Sequence, residues 1–290
     1  MPKTKKKGTK KSTKAKDKKT DVPEDVPKKS SFVRTVLNIL IFLFELPLRI
    51  YNTYIDWHAG KIKEEQIKEI EKKRDSIKAG YERFREIETI KGSFDRLEKD
   101  LFSSDSMIGI ILGARGRGKT AVGIKILENA YAITQKKCYA IGFHANDLPK
   151  WIEPVLDVSE IKNDAFVLID EGGILFSARN AMTTANKLLS DLILVARHKN
   201  LTILFISQNS ANLDINILRQ ADFLILKPSS LLQKDFERKK IKDIYEEVKD
   251  KFSEYDDHKG LTYFYSDHFT GFVDNPLPTF WNIKISKSFK

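Results

Sequence analysis

The eight residues Gly113-Ala-Arg-Gly-Arg-Gly-Lys-Thr120 have the spacing G-x-x-x-x-G-K-[ST] of a loop that cradles phosphate. Glycines at 113, 116 and 118 let the backbone turn tightly and aim N–H groups inward, where a helix N-terminus adds its dipole to attract polyphosphate. Lys119 would reach the β- and γ-phosphates, and Thr120 would offer its hydroxyl to Mg²⁺. Ala114, Arg115, Arg117 and Ala121 complete the stretch expected to touch a nucleotide, with ATP the natural ligand. A basic, glycine-rich turn of the same spelling is the bland alternative. A second chemical signal follows in Ala165-Phe-Val-Leu-Ile-Asp170-Glu171, an apolar run ending in two acids. There, an adjacent strand would deliver Asp170 to the metal, and Glu171 would orient or deprotonate the attacking water. A strand that simply ends in a solvated acidic turn is its alternative.

These groups need elements to hold them. Met107-Ile-Gly-Ile-Ile-Leu112 is a short apolar, β-branched run that reads as a buried strand, and Thr120–Leu127 has apolar residues at helical spacing, so the loop joins strand to helix. Cys138–Gly142, Leu201–Ile206 and Ala221–Leu226 read as further strands, and Thr184–His198 as a helix. Strands alternating with helices predict an α/β fold, a mostly parallel sheet flanked by helices. The strand Leu201–Ile206 ends in Ser207-Gln208, and ligands collect at the carboxyl ends of parallel strands. Gln208 could therefore hydrogen-bond the γ-phosphate and the lytic water, or be an ordinary polar strand end.

Composition permits this reading. The chain has 290 residues, 41% of them hydrophobic, enough for one good core and an appendage. Its single cysteine, Cys138, excludes an internal disulfide and points to a reducing compartment. The five histidines, at 58, 144, 198, 258 and 268, lack metal-ligand spacing, leaving Mg²⁺ as the expected metal.

The net charge of +11 is concentrated at one end, because residues 1 to 30 hold twelve lysines against four acids. Such a tail, residues 1–31, cannot bury enough apolar surface to fold and reads as disordered. It could bind a nucleic-acid backbone, attach to an anionic bilayer or simply solubilise. Residues 32–58 follow with the most apolar stretch, interrupted by Arg34, Asn38, Glu45 and Arg49. The uninterrupted core, Ile39 to Phe44, is short for a spanning helix. A helix lying among headgroups fits Phe32, Tyr51, Tyr54, Trp57 and the upstream lysines, giving residues 1–57 an anionic membrane as partner. Packing on the enzyme body or a neighbouring subunit is the alternative.

Residues 59–104 are densely charged and helix-favouring, with Ile67, Ile70, Ile77, Tyr81 and Phe84 at heptad-like spacing, and read as a helical stalk. Ser103–Ser106 marks a boundary before the core at 105–230. Over 231–290 a charged helix from Leu231 to Phe252 precedes a hairpin, Gly260–Tyr265 with Phe269–Val273, that would complete the domain. The aromatics that follow, including Phe280 and Trp281, could stack on single-stranded nucleic acid, but a strand pair covering the sheet is the plainer reading.

The order of phosphate loop, strand-Asp-Glu and Ala196-Arg-His-Lys-Asn-Leu-Thr-Ile-Leu-Phe-Ile-Ser-Gln208 resembles the FtsK/HerA superfamily of motor ATPases. The continuation through Asn209-Ser-Ala-Asn-Leu-Asp-Ile-Asn-Ile-Leu-Arg219 is most similar to its zonular occludens toxin (Zot-like) branch, which includes filamentous-phage assembly ATPases. The resemblance covers roughly residues 105 to 230. It implies a P-loop NTPase of the ASCE type and a homo-oligomeric ring, commonly a hexamer, in which an arginine reaches the neighbour's γ-phosphate. Arg197 is the first candidate for that finger and Arg219 the second; a solvated arginine is the alternative for each. The resemblance also implies DNA as the moved polymer, virion or coat proteins as partners, and a place at the cytoplasmic face of an archaeal or bacterial membrane or in a virion. Two other functions stay open: an assembly or secretion ATPase acting on protein subunits, and an ATP-binding membrane scaffold with little turnover. In the Zot-like phage proteins the apolar segment usually follows the ATPase, whereas here it precedes it, which weighs against extrusion through a bilayer.

Overall fold

The computed structural model describes residues 31–172, 181–230, 233 and 235–286. The basic tail expected over 1–31 therefore lies outside them apart from Ser31, as does the expected start of the C-terminal helix at Leu231. The chain divides into two compact units, Met1–Lys63 and Glu64–Lys290.

In the first unit the described element is the helix α1, Ser31–Ser76, which contains Pro47 and continues beyond the unit. Its apolar side chains are uncovered: Leu40 is 58% exposed and Phe44 83%. By length and composition this helix is long and apolar enough to cross a membrane. Tyr54, Trp57 and His58 form a ring cluster, and the Lys61 ammonium stands 4.3 Å over the Trp57 ring.

The second unit is built on a nine-stranded sheet in the order β1-β9-β8-β7-β2-β6-β5-β3-β4. Its strands are β1 (Arg85–Gly92), β2 (Met107–Leu112), β3 (Lys137–Ile141), β4 (Ile152–Pro154), β5 (Ala165–Asp170), β6 (Leu201–Ile206), β7 (Phe223–Leu226), β8 (Leu261–Ser266) and β9 (Phe269–Asp274). From β7 through β2, β6, β5 and β3 to β4 all pairings are parallel, and β8, β9 and β1 extend the sheet antiparallel. The helices are α2 (Phe94–Ser103), α3 (Lys119–Thr134), α4 (Ala181–Lys199), the short α5 (Ile215–Arg219) and α6 (Lys239–Glu254).

Strand side chains alternate between two apolar layers, as the pleat requires. Ile108, Ile110, Val167, Ile169, Ile203 and Phe205 face Leu189, Leu192 and Ala196 of α4 and Ile241, Ile244 and Tyr245 of α6. Ile111, Phe166, Leu168, Leu204, Ile206 and Phe223 face Leu97 and Leu101 of α2 and Val122, Ile126 and Leu127 of α3. With both faces covered, the central strands are continuous hydrophobic runs, the property that made them legible in the sequence. The α/β, P-loop NTPase fold class is therefore the one observed.

Three expectations are corrected. The stretch 59–104 is not helical throughout: α1 stops at Ser76 and residues 85–92 form β1, which pairs with β9. Most of β1 is exposed, so its charged sequence carries no apolar alternation and only the distant hairpin makes it a strand. The hairpin itself does not cover the sheet but lengthens it in plane, through β8 on β7. Third, the acidic strand is not adjacent to the loop strand, because β6 lies between β2 and β5. The short strand β4 carried no sequence signal of its own.

Candidate functional site

The loop between β2 and α3 is braced from β7. Lys227, following β7, donates its backbone N–H to Leu112, and Ala114 donates to the Pro228 carbonyl. Gly113 has φ 145°, and a Cβ there would lie 2.6 Å from Lys227 Cβ, so only glycine fits. Gly118, at φ 85°, caps α3 without any side-chain hydrogen bond, which leaves the positive end of the helix open to an anion. Tight packing continues up the helix, where Val122 and Ile124 are fully buried beneath the sheet.

Lys119 is 8% exposed and its Nζ donates to the carbonyls of Gly113 at 2.7 Å and Ala114 at 3.0 Å. Burial lowers its pKa, against the opposing pull of Asp170 and Glu171. The ammonium is thus held by neutral carbonyls, which incoming phosphate oxygens would outcompete as charge-assisted partners. Thr120 Oγ1 donates to Asp170 Oδ2 at 3.1 Å. Asp170 is also bonded by the Gly172 N–H at 3.0 Å, and burial raises its pKa. A hydroxyl and a carboxylate oxygen this close are a hard-oxygen donor pair that suits Mg²⁺, which takes few protein ligands and completes its shell with phosphate and water. Among the described residues no group of three or more His, Cys, Asp or Glu could hold a metal by itself.

Glu171 is 3% exposed, and one of its carboxylate oxygens accepts a short hydrogen bond from the Ser207 hydroxyl. Ser207 is itself fixed by its N–H on the Ile111 carbonyl at 3.0 Å. The strand order puts β6 between loop and acid, and Ser207 thereby bridges the two. Gln208 is exposed at the end of β6, and its carbonyl accepts a hydrogen bond from the Gln233 side chain.

A cavity of about 580 Å³ opens over these groups, lined by Arg115, Gly116, Gly118, Lys119, Thr120, Ala121, Asp170, Ser207 and Gln208. That size is ordinary for a small-molecule site. Gly113, Ala114, Arg117 and Glu171 are not in its wall: the first two hold Lys119, Arg117 reaches toward Asp256 at 4.0 Å, and Glu171 sits behind Ser207. The remaining wall comes from Gly172, Ile206, Leu277, Trp281, Ile283 and Ser286.

Residues 143–225 match the profile of the zonular occludens toxin (Zot) family. Over that stretch the chain is similar to the Zot family. No curated protein sequence shows a significant match to it. Among solved structures, the DNA-packaging ATPase of Sulfolobus turreted icosahedral virus matches 60% of this chain and 98% of its own, at 12% identity and TM-score 0.41. The genome-packaging NTPase of Sulfolobus turreted icosahedral virus 2, in complex with sulfate, matches 60% and 98% at 14% identity and TM-score 0.43. The conjugation coupling protein TcpA of pCW3 matches 64% and 66% at 13% identity and TM-score 0.41.

Neither candidate finger lines the chain's own cavity. Arg197 is exposed in the last turn of α4, just before β6 begins, and Ser207 lies beyond the far end of that strand. A six-residue strand spans roughly 20 Å, so Arg197 belongs to the opposite end of the sheet from the loop. Arg219 is likewise exposed, before β7.

Sequence reasoning missed Ser207 as the partner of Glu171, since a serine at a strand end says nothing about the neighbouring strand. It also missed Lys227, 1% exposed, whose Nζ contacts the Gly260 and Leu261 carbonyls, Thr262 Oγ1 and Asn275 Oδ1 at 2.8–3.0 Å. Burial pushes its pKa down to about 7. A lone lysine after an apolar strand was the available signal, and it did not distinguish a buried brace from a solvated end.

Proposed function

We propose that this chain is a membrane-associated, Mg²⁺-dependent ATPase whose ring moves or packages DNA in virus or mobile-element assembly. The observation that carries the enzymatic half is the cavity at the carboxyl ends of β2, β5 and β6, where Lys119, Thr120, Asp170, Ser207 and Gln208 meet. The triphosphate would rest on the loop's N–H groups and the α3 N-terminus, drawing Lys119 from its carbonyls onto the β- and γ-phosphates. Thr120 and Asp170 would hold Mg²⁺, whose charge offsets that developing on the transferred phosphoryl group. Ser207 aims Glu171, which would take a proton from the attacking water, while Gln208 would hydrogen-bond water and γ-phosphate. The uncovered apolar side chains of α1 and its Tyr54–Trp57–Lys61 cluster support membrane attachment.

Phosphate release by the purified chain, with and without duplex DNA and with and without anionic vesicles, tests this reading. Stimulation by DNA is expected. Turnover indifferent to DNA would favour the second reading, a Zot-like assembly ATPase acting on protein subunits, which the similarity of residues 143–225 to the Zot family motivates.

The ring demands that a neighbour complete each site, and Arg197 is the first candidate, Arg219 the second. For Arg197 to serve, the neighbour must be displaced along the strands by about one strand length, roughly 20 Å. Mixing Arg197→Ala subunits with Glu171→Gln subunits is expected to restore part of the activity that each lacks alone, because mixed interfaces pair an intact Glu171 with an intact Arg197. Mixtures as inactive as their parents would remove Arg197 from the role.

A further inference from the structure

Part of the cavity wall is apolar. It is supplied by residues following β9, where Leu277 is 57% exposed, Ile283 is 59% exposed and Trp281 is half-buried. This segment is fastened rather than loose. Thr279 donates its N–H to Glu128 of α3 at 3.1 Å and its hydroxyl to the same carboxylate, Trp281 closes a turn on Pro278 at 2.9 Å, and Ile285 is buried in the core. Leu277 and Ile283 thus keep apolar surface in water on a backbone held in place at both ends, an arrangement that invites a flat apolar ligand.

Resting on the nucleotide reading above, we propose that residues 277–283 form the nucleobase subsite, with the Trp281 indole as its stacking platform and Leu277 and Ile283 as its apolar flanks. A nucleoside triphosphate is polar at one end and flat and apolar at the other, and this cavity offers both a polar and an apolar set of lining side chains. The base would cover the surface that the folded segment leaves exposed, and stacking on an indole holds any base by its face. Because Thr279 is tied to α3, which also carries Lys119 and Thr120, phosphate and base subsites are fixed to one helix.

The test compares ATP with inorganic tripolyphosphate by calorimetric titration of the full chain. Trp281→Ala is expected to weaken ATP binding about tenfold while leaving tripolyphosphate within about twofold, and Trp281→Phe to retain most of the ATP affinity. Lys119→Ala should weaken both ligands. Equal weakening of both by Trp281→Ala, or of neither, overturns the subsite and leaves the nucleotide reading intact. Failure of the unaltered chain to bind either ligand overturns both. A second readout does not depend on removing the indole: the chain has three tryptophans, and with Trp57→Phe and Trp151→Phe only Trp281 emits. Its emission should change with ATP and not with tripolyphosphate; unchanged emission with bound ATP refutes stacking.

Discussion

Lys119→Ala is expected to abolish ATP turnover, with a fall of at least about a thousandfold and a parallel loss of ATP affinity. Glu171→Gln should reduce turnover by about 10²–10⁴ while leaving affinity near its original value. The two differ because of where each side chain sits. Lys119 lies in the cavity wall and can meet phosphate directly, whereas Glu171 is held behind Ser207 and can act only on water that approaches it. Removing Lys119 therefore costs ground-state binding as well as transition-state stabilisation, and removing the Glu171 charge costs only the latter. Steady-state phosphate release with equilibrium titration of ATP separates the cases. Normal turnover in both variants would sink the catalytic assignment; a loss of affinity in Glu171→Gln would recast that residue as part of the binding surface.

The largest expected effect on stability lies on the back of the same helix. Lys125 and Glu128 of α3 are both fully buried and joined at 2.8 Å. Glu128 also accepts from the Gly80 N–H at 3.3 Å and from Thr279, and Lys125 donates to the Gly80 carbonyl at 3.1 Å. Asn129 exchanges hydrogen bonds with the Glu82 backbone in both directions. One helical face thus holds the chain leading into β1 and the segment that walls the cavity. Glu128→Ala leaves the Lys125 charge buried without its carboxylate and orphans the Gly80 and Thr279 donors, so unfolding free energy should fall by about 3–5 kcal/mol. Adding Lys125→Met to Glu128→Ala should recover part of that loss, because an unpaired buried charge costs more than an apolar chain of similar length. Urea unfolding of the single and double variants measures both. A Glu128→Ala chain within about 0.5 kcal/mol of the original would show that water reaches this pair.

The sequence was most informative where local pattern and tertiary role coincide. The apolar runs at 107–112, 165–170 and 201–206 are strands with those bounds because a parallel strand covered on both faces must be apolar at every position. The phosphate loop was legible because glycine at positive φ and a lysine at fixed spacing are demanded by the backbone itself. The residues 85–92 show the opposite case. Their charged composition favours helix, and they are a strand because β9 presents an open edge, a partner nearly two hundred residues away in the chain.

The site divides along the same line. Sequence by itself determined that this protein carries a loop, Gly113 to Thr120, and a strand-end acid pair, Asp170 and Glu171, because each is set by neighbours a few residues away. Only the tertiary structure decided that Thr120 meets Asp170, that Ser207 rather than Gln208 touches Glu171, that Arg197 stands at the far end of the sheet, and that Trp281 lines the same cavity as the loop. Those relations depend on the order in which strands are laid side by side and on buried hydrogen bonds from α3 to the segment following β9. Neither leaves a periodic trace in the chain, since a side chain that acts across a sheet obeys the spacing of the sheet and not that of its own sequence.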